Sequence, residues 1–364
     1  MVNLRVADYS DFEGIMDLQA RYRLPGRNYD EWVHIWKENP AINDNNSFPI
    51  GWVLEESGGN IVGYLGNIPS IYEFAGKRLA AVSTTCFVVD TKYRNSSLLL
   101  MNAFFKQKNA DLFLNTTANR EGERVFSAFK ARKIPSPDQD VALFWIAGYR
   151  GFAASLLRKK KIPLARAAGY PLSFMMWMVD KACGRNQCRK PEREIGIREG
   201  FDEQFDVFWE RLRKTHTRTV LSVRDRAHLT WHFKYALSHK RLWIFVSRQD
   251  SRMTGYALFL RQDNPEICLN RVRLVDFQTI DDDPSALRDM IFSCIMKCRN
   301  ENIHVLETVG FSDKKRASLA ECFPYKRRML SWPFLYKAGT AALSEDLNDP
   351  RVWDASFYDG DGSI

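Results

Sequence analysis

Apolar positions along the first 147 residues switch between a period of two and a period near three and a half, the marks of strand and helix. An opening strand (Leu4 to Val6) precedes a helix with Asp11 near its start and a second helix built around Trp32 and Trp36. β-rich runs follow. GWVLEE and IVGYLGNIPSIYEF flank the turn SGGN, which predicts a hairpin, and AGK reverses the chain again into RLAAVSTTCFVVD. After Asp90 the pattern turns helical from Ser97 to Lys106, then gives a strand in LFLNTT, a helix from Arg120 to Ala131 and a strand in ALFWIA.

The same order recurs from Ile195, where IGIREGFDEQFDVFWERL reads as a strand and a helix with Asp202 placed as Asp11 is. WIFVSRQ and TGYALFLRQ repeat the hairpin, with Gly255-Tyr256 set against Gly63-Tyr64, and ICLNRVRLVDF sets Val275-Asp276 against Val89-Asp90. A helix (Ala286 to Cys298), a strand (IHVLET), a helix (Lys314 to Cys322) and a strand (PFLYKA) complete the copy. The expectation is an α/β chain of two tandem mixed-sheet domains, 1–147 and 195–364, joined by a linker at 148–194 that is basic, apolar and partly helical. That linker carries RKKK at Arg158 to Lys161 and aromatic residues through Trp177. Such a segment can lie in the headgroup region of an acidic membrane, a peripheral contact through 148–182, or pack across two domains with its lysines in water.

At 364 residues, 45% hydrophobic and 27% charged, the chain has the composition of a globular protein, not of a collagen-like, disordered or wholly membrane-embedded one. The net charge of +9 favours anionic partners without choosing among them. Seven scattered cysteines lack zinc-site spacing, so reduced thiols and no metal are expected. The start, MVNLRVADYSDFEGI, shows no export signal, and the cytoplasm is the expected location. No zinc-finger spacing, aromatic RNA-binding strand or long basic helix marks a dedicated nucleic-acid motif.

Where the strand ending at Asp90 hands over to a helix, the first backbone N–H groups lack partners and the helix dipole is positive. A phosphate suits that end, and Lys92 and Arg94 add charge beside it. An ordinary connection capped by Asn95 or Ser96 is the alternative reading. In the second copy the corresponding run holds Asp281 to Asp283, which would repel a pyrophosphate, so the first copy is the expected donor site.

The runs VVDTKYRNSSLLLMNAFFKQ and NTTANREGERVFSAFKARKI, with the double β-α-α-β-β-β-α-β-α-β order, resemble the GCN5-related N-acetyltransferase (GNAT) superfamily, specifically its tandem members. RDRAHLTWHF and RVWDASFYDGDGS look like segments of bacterial tandem acetyltransferases of polysaccharide-gene type. The resemblance spans nearly the whole chain outside the linker. It implies an acyl-CoA co-substrate, acetyl-CoA or another, and a small-molecule or glycan-type amine acceptor such as an amino sugar or cell-envelope precursor.

It also implies that Phe87, Val88, Val89, Arg94, Asn95, Ser96, Ser97, Leu98 and Asn119 hold the cofactor. The sequence departs from the family at Ser97 and Leu99, where the family loop has small residues that let phosphate approach the backbone. The family's acid position is occupied by Phe126. No general base stands out; Asn67, Asn115 and Cys86 are the candidates near the reacting centre, and Cys86 reads either as a transient acyl acceptor or as a small buried filler. In the second copy His232 and Asp276 are the ionisable candidates. A non-catalytic binding protein and a FemX-like transferase using aminoacyl-tRNA are the competing readings.

Overall fold

The structure is a computed structural model that describes residues 2–42, 48–136, 138–185, 193–281, 284–329 and 333–364. The first half runs β1 (Val2–Val6), α1 (Phe12–Arg21), α2 (Tyr29–Lys37), β2 (Gly51–Glu56), β3 (Ile61–Phe74), β4 (Lys77–Val89), α3 (Ser97–Phe105), β5 (Leu112–Asn115), α4 (Arg120–Ala128), β6 (Arg132–Lys133) and β7 (Val141–Ile146). A helical hairpin, α5 (Tyr149–Lys159) and α6 (Ala165–Ala182), follows. The second half runs β8 (Ile195–Arg198), α7 (Glu203–Thr215), β9 (Leu221–Ser222), α8 (Arg226–Ser238), β10 (Leu242–Gln249), β11 (Arg252–Arg261), β12 (Arg271–Thr279), α9 (Pro284–Asn300), β13 (Val305–Thr308), α10 (Asp313–Ala320), β14 (Tyr325–Arg328), β15 (Leu335–Ala338) and α11 (Ala341–Asp346).

Strand alternation explains why each sheet needs helices on both faces. Trp52 and Leu54 of β2 pack with Phe104 of α3, while Val53 between them packs with Ile15 and Trp36 of α1 and α2. Removing one such fully buried side chain, Leu54→Ala for example, costs about 2–5 kcal/mol. α4 stops at Ala128, not at the expected Ala131, because Phe129 closes it and Lys130 turns to φ +66°.

Two mixed sheets form, as the periodicity predicts, but β6, β9 and β14 are added to them and the closing strands are exchanged. β7 pairs with β13 and β14 in the second sheet, and β15 enters the first sheet between β5 and β6. The sequence boundary at 147 therefore does not coincide with the boundary between sheets. β9 adds a further tie, setting Ser222 opposite Tyr72 of β3.

The two halves share an irregularity. Between the rungs Tyr64–Val88 and Gly66–Thr85, β4 carries one residue more than β3; between Leu258–Asp276 and Phe259–Leu274, β12 carries one more than β11. Gly63 faces Val89 and Gly255 faces Thr279, and Asp90 and Ile280 donate to Val62 and Thr254 respectively. The counterpart of Val89-Asp90 is thus Thr279-Ile280. The pairing with Val275-Asp276 expected from sequence falls short because β12 continues to Thr279 after its bulge.

Candidate active site in the first half

β4 and β5 run parallel for only three rungs, Ala81–Leu112, Val82–Phe113 and Ser83–Leu114. Beyond them β4 continues from Thr84 to Val89 with no strand partner on that side among the described residues, so the strands splay. Asn115 Nδ2 donates to Thr84 Oγ1 at 2.8 Å and closes the base of the opening. The bulge in β4 is turned by Cys86 at φ +50°, a left-handed conformation costly for a residue with a Cβ. Because Asp90 N–H bonds to Val62 O, antiparallel alternation turns the peptide groups of Val88 toward β3 and those of Phe87 and Val89 toward the splay. Those N–H groups face the opening.

The connection to α3 is wound more tightly than a bare helix end. Thr91–Ser96 form a 3-10 turn in which Tyr93 N–H bonds to Asp90 O and Ser97 N–H bonds to Arg94 O. Fewer N–H groups are left for a phosphate than the sequence suggests. Charge remains: Lys92 and Arg94 are exposed, with Arg94 only loosely opposed by Glu121 at 3.9 Å. Asn95 is exposed, and Ser96 and Ser97 are half-buried; Ser96 makes no side-chain cap. Leu98 and Leu99 are 51% and 43% exposed, so neither plugs the helix end. Asn119 caps α4, accepting from Gly122 N–H at 2.8 Å. A broad concavity of about 930 Å³ lies beside the same turn, but Asp11, Asp17, Glu56 and Asp90 outnumber Arg5, Arg21 and Lys92 on its walls, which disfavours a diphosphate there.

The candidates for chemistry separate clearly. Asn67 does face Thr84, but it is fully buried, with Nδ2 donating to Pro49 O and Gln107 Oε1, and so holds strands and loop together. Asn115 is likewise committed to Thr84. Burial pushes the Cys86 thiol up, which keeps it protonated. Phe126 is buried in the aromatic cluster of Phe104 and Phe105.

The carboxylate missing from these strands comes from the far end of the chain. Asp361 accepts a hydrogen bond from Thr117 Oγ1 at 2.8 Å, just past β5. Burial pushes its pKa up, opposed by hydrogen bonds from Thr117 and Thr85. Gly360 beside it packs so tightly that a Cβ would meet Thr116 Oγ1 at 2.3 Å and Ser83 Oγ at 3.1 Å. The only trace of this in the sequence is three aspartates set among aromatics in WDASFYDGDGS.

In the second half the described residues show the corresponding splay crossed by the tail. The same tail enters its splay, with Tyr358 N–H donating to Val275 O and Phe311 N–H to Ala355 O. Asp276 is bound by Arg224 (Nε to Oδ2 2.9 Å, Nη2 to Oδ1 3.1 Å) and by the Tyr256 hydroxyl, all fully buried. His232 meets Ser363 Oγ at 2.7 Å, and burial, aided by Arg224, pushes its pKa down to about 3, so it stays neutral. Both are buried and hydrogen-bonded within the protein. Asp281 is exposed, while Asp282 and Asp283 lie outside the described residues.

Among the described residues no cluster of three metal-ligating side chains occurs, and no helix is long and apolar enough to cross a membrane. No protein-family model and no curated protein matches the chain in sequence. Solved structures do match in shape. Saccharomyces cerevisiae N-myristoyltransferase with bound myristoyl-CoA superposes with a TM-score of 0.58 at 12% identity, over 93% of this chain and 79% of that one. A GCN5-related N-acetyltransferase from Kribbella flavida gives 0.57 at 10% (93% and 71%), and one from Anabaena variabilis 0.54 at 10% (93% and 73%). The chain is built on the fold that these N-acyltransferases share.

Proposed function

We propose that the protein is an acyl-CoA-dependent N-acyltransferase whose donor lies in the β4–β5 splay of the first half and whose base is Asp361. One observation carries this reading: a half-buried carboxylate, held by the Thr117 hydroxyl, stands beside the stretch of β4 that has no strand partner toward β5 among the described residues. The acyl-CoA donor is also supported by the myristoyl-CoA bound to a structural neighbour.

The thioester carbonyl would be held by N–H groups of Phe87 and Val89, donors fixed in advance where negative charge develops. Asp361 takes a proton from the acceptor ammonium, and its raised pKa makes it a stronger base than an ordinary carboxylate. The freed amine attacks the carbonyl, the C–N bond forms and the C–S bond breaks; the second proton, shed by the nitrogen as it becomes an amide, passes through solvent to the leaving coenzyme A thiolate, and Asp361 releases its proton to solvent. No side-chain acid is needed, in keeping with Phe126 at that position. Lys92 and Arg94 face the diphosphate.

The closed base of the splay, where Gly360 meets Thr116, favours a short acyl group, and acetyl is the one put forward. The acceptor put forward is an amino sugar or cell-envelope precursor amine, on the resemblance alone. A thiol-release assay with acetyl-CoA over a panel of amines tests the reading. Release with at least one amine supports it; cofactor binding without release from any amine would make this a binding protein instead.

A further inference from the structure

A second cavity, of about 420 Å³, lies in the other half, between the α5–α6 hairpin and the face of β7, β12, β13 and β14. Its size is that of a small-molecule site, roughly 300–1,000 Å³. Most of its wall is apolar, from Phe144, Ile146, Phe152, Leu156, Met176 and Val305. Nothing in the transferase reading uses it.

One part of the wall is charged, and the charge is unbalanced. Lys159, Arg271 and Arg327 line the cavity against a single carboxylate, Glu307. That carboxylate is already shared: Oε2 accepts from Arg271 at 3.3 Å and from Arg273 at 3.2 Å, and Oε1 pairs with Arg327. Burial lowers the pKa of Arg271, opposed by Glu307, and burial together with neighbouring Arg271 brings that of Arg273 down to about 10, as expected of clustered cations withdrawn from water. A ligand anion would supply the missing charge.

The cavity also continues onto an apolar surface. Met175 and Val179 line it and are 58% and 46% exposed; Phe174 (63%) and Met178 (52%) extend the patch along α6. Monomeric proteins seldom expose such a contiguous patch without a binding role. Lys159, Lys160 and Lys161 stand exposed where α5 turns toward α6. An apolar slot with a cationic wall, opening onto an apolar patch beside lysines, matches one ligand chemistry.

We propose that this cavity binds a single alkyl chain ended by an anionic head, the chain lying among Phe144, Phe152, Leu156 and Met176 and the head meeting Arg271, Arg327 and Lys159. The inference is independent of the donor site, and its test uses no enzymatic activity. The full-length protein is titrated with cis-parinaric acid, a fluorescent fatty acid, and the probe is displaced with dodecanoate or with dodecanol. A separate arm measures flotation with phosphatidylglycerol or phosphatidylcholine vesicles.

Dodecanoate should displace the probe at least tenfold better than dodecanol. Leu156→Trp, which fills the slot, should abolish probe binding, and the exposed-side double change Lys159→Gln with Arg327→Gln should erase the preference for the anion while leaving dodecanol unaffected. Circular dichroism melting confirms that each variant is folded. Displacement by dodecanoate assigns the head to a free amphipathic anion. Flotation with phosphatidylglycerol alone, lost in the same variants, assigns it to a membrane lipid, and both outcomes support the site. Equal displacement by dodecanol, binding that survives Leu156→Trp in a folded protein, or no binding in either arm overturns it.

Discussion

The Asp361 carboxylate accepts a hydrogen bond from the Thr117 hydroxyl at 2.8 Å, joining the end of the described chain to the mouth of a splay formed in its first third. A base for amine deprotonation thus reaches the first half from outside it. Asp361→Asn keeps the shape and removes the proton acceptor, so kcat should fall about 10²–10⁴-fold while the KM for acetyl-CoA changes little. In the unaltered protein, activity should rise with pH through the raised pKa of Asp361, with its acid limb above the range of an ordinary carboxylate. Steady-state kinetics from pH 5 to 9 check both; an unchanged kcat in the variant would remove Asp361 from the mechanism.

Cys86 should be dispensable for chemistry. Its thiol is held protonated by burial, so Cys86→Ala should retain kcat within a factor of a few, whereas a thiol that carried the acyl group could not be removed without near-complete loss. Mass spectrometry of the protein with acetyl-CoA should show no acylated Cys86.

The buried pair Arg224 and Asp359 gives stability a pH slope. Burial pushes the Asp359 pKa up to about 6, with Arg224 opposing (Nη2 to Oδ2 3.8 Å). Between the unfolded value near 3.9 and that value, the native state holds a proton that the unfolded chain has lost. This contribution to stability is complete below about pH 4 and is lost as pH rises through about 6, by something on the order of 2–3 kcal/mol. Asp359→Asn should flatten that part of the curve in urea denaturation at pH 4.5 and 7; an unaltered slope would contradict the assignment.

The exchange of β7 and β15 means that neither half carries its own complete sheet. Residues 1–147 expressed alone should aggregate or lack fixed tertiary structure, with the edges of β5 and β6 unpaired, and co-expression with 148–364 should rescue them. Size-exclusion chromatography and near-ultraviolet circular dichroism read the outcome. A monomeric 1–147 fragment that unfolds cooperatively would show that the exchange is not needed for folding.

Periodicity made the element order legible, since GWVLEE and IVGYLGN bury alternate faces wherever their sheet ends up. It could not assign ALFWIA and PFLYKA to a sheet, because a strand of that pattern is satisfied equally by its own half or the other. A local pattern also cannot register a bulge, so it aligns Val275-Asp276 with Val89-Asp90, four residues before the true counterpart Thr279-Ile280. Asp361 was out of reach for a third reason. The fold brings it to Thr117 across 244 residues, and nothing near Thr117 in sequence announces it.

The most direct test is difference electron density from crystals soaked with acetyl-CoA. Density is expected for the pantetheine arm along Phe87 to Val89, for the diphosphate beside Lys92 and Arg94 to Leu98, and for the thioester carbonyl on the side of β4 that faces Asp361. Density in the second half's splay, or none at millimolar ligand in a well-folded crystal, would contradict this placement.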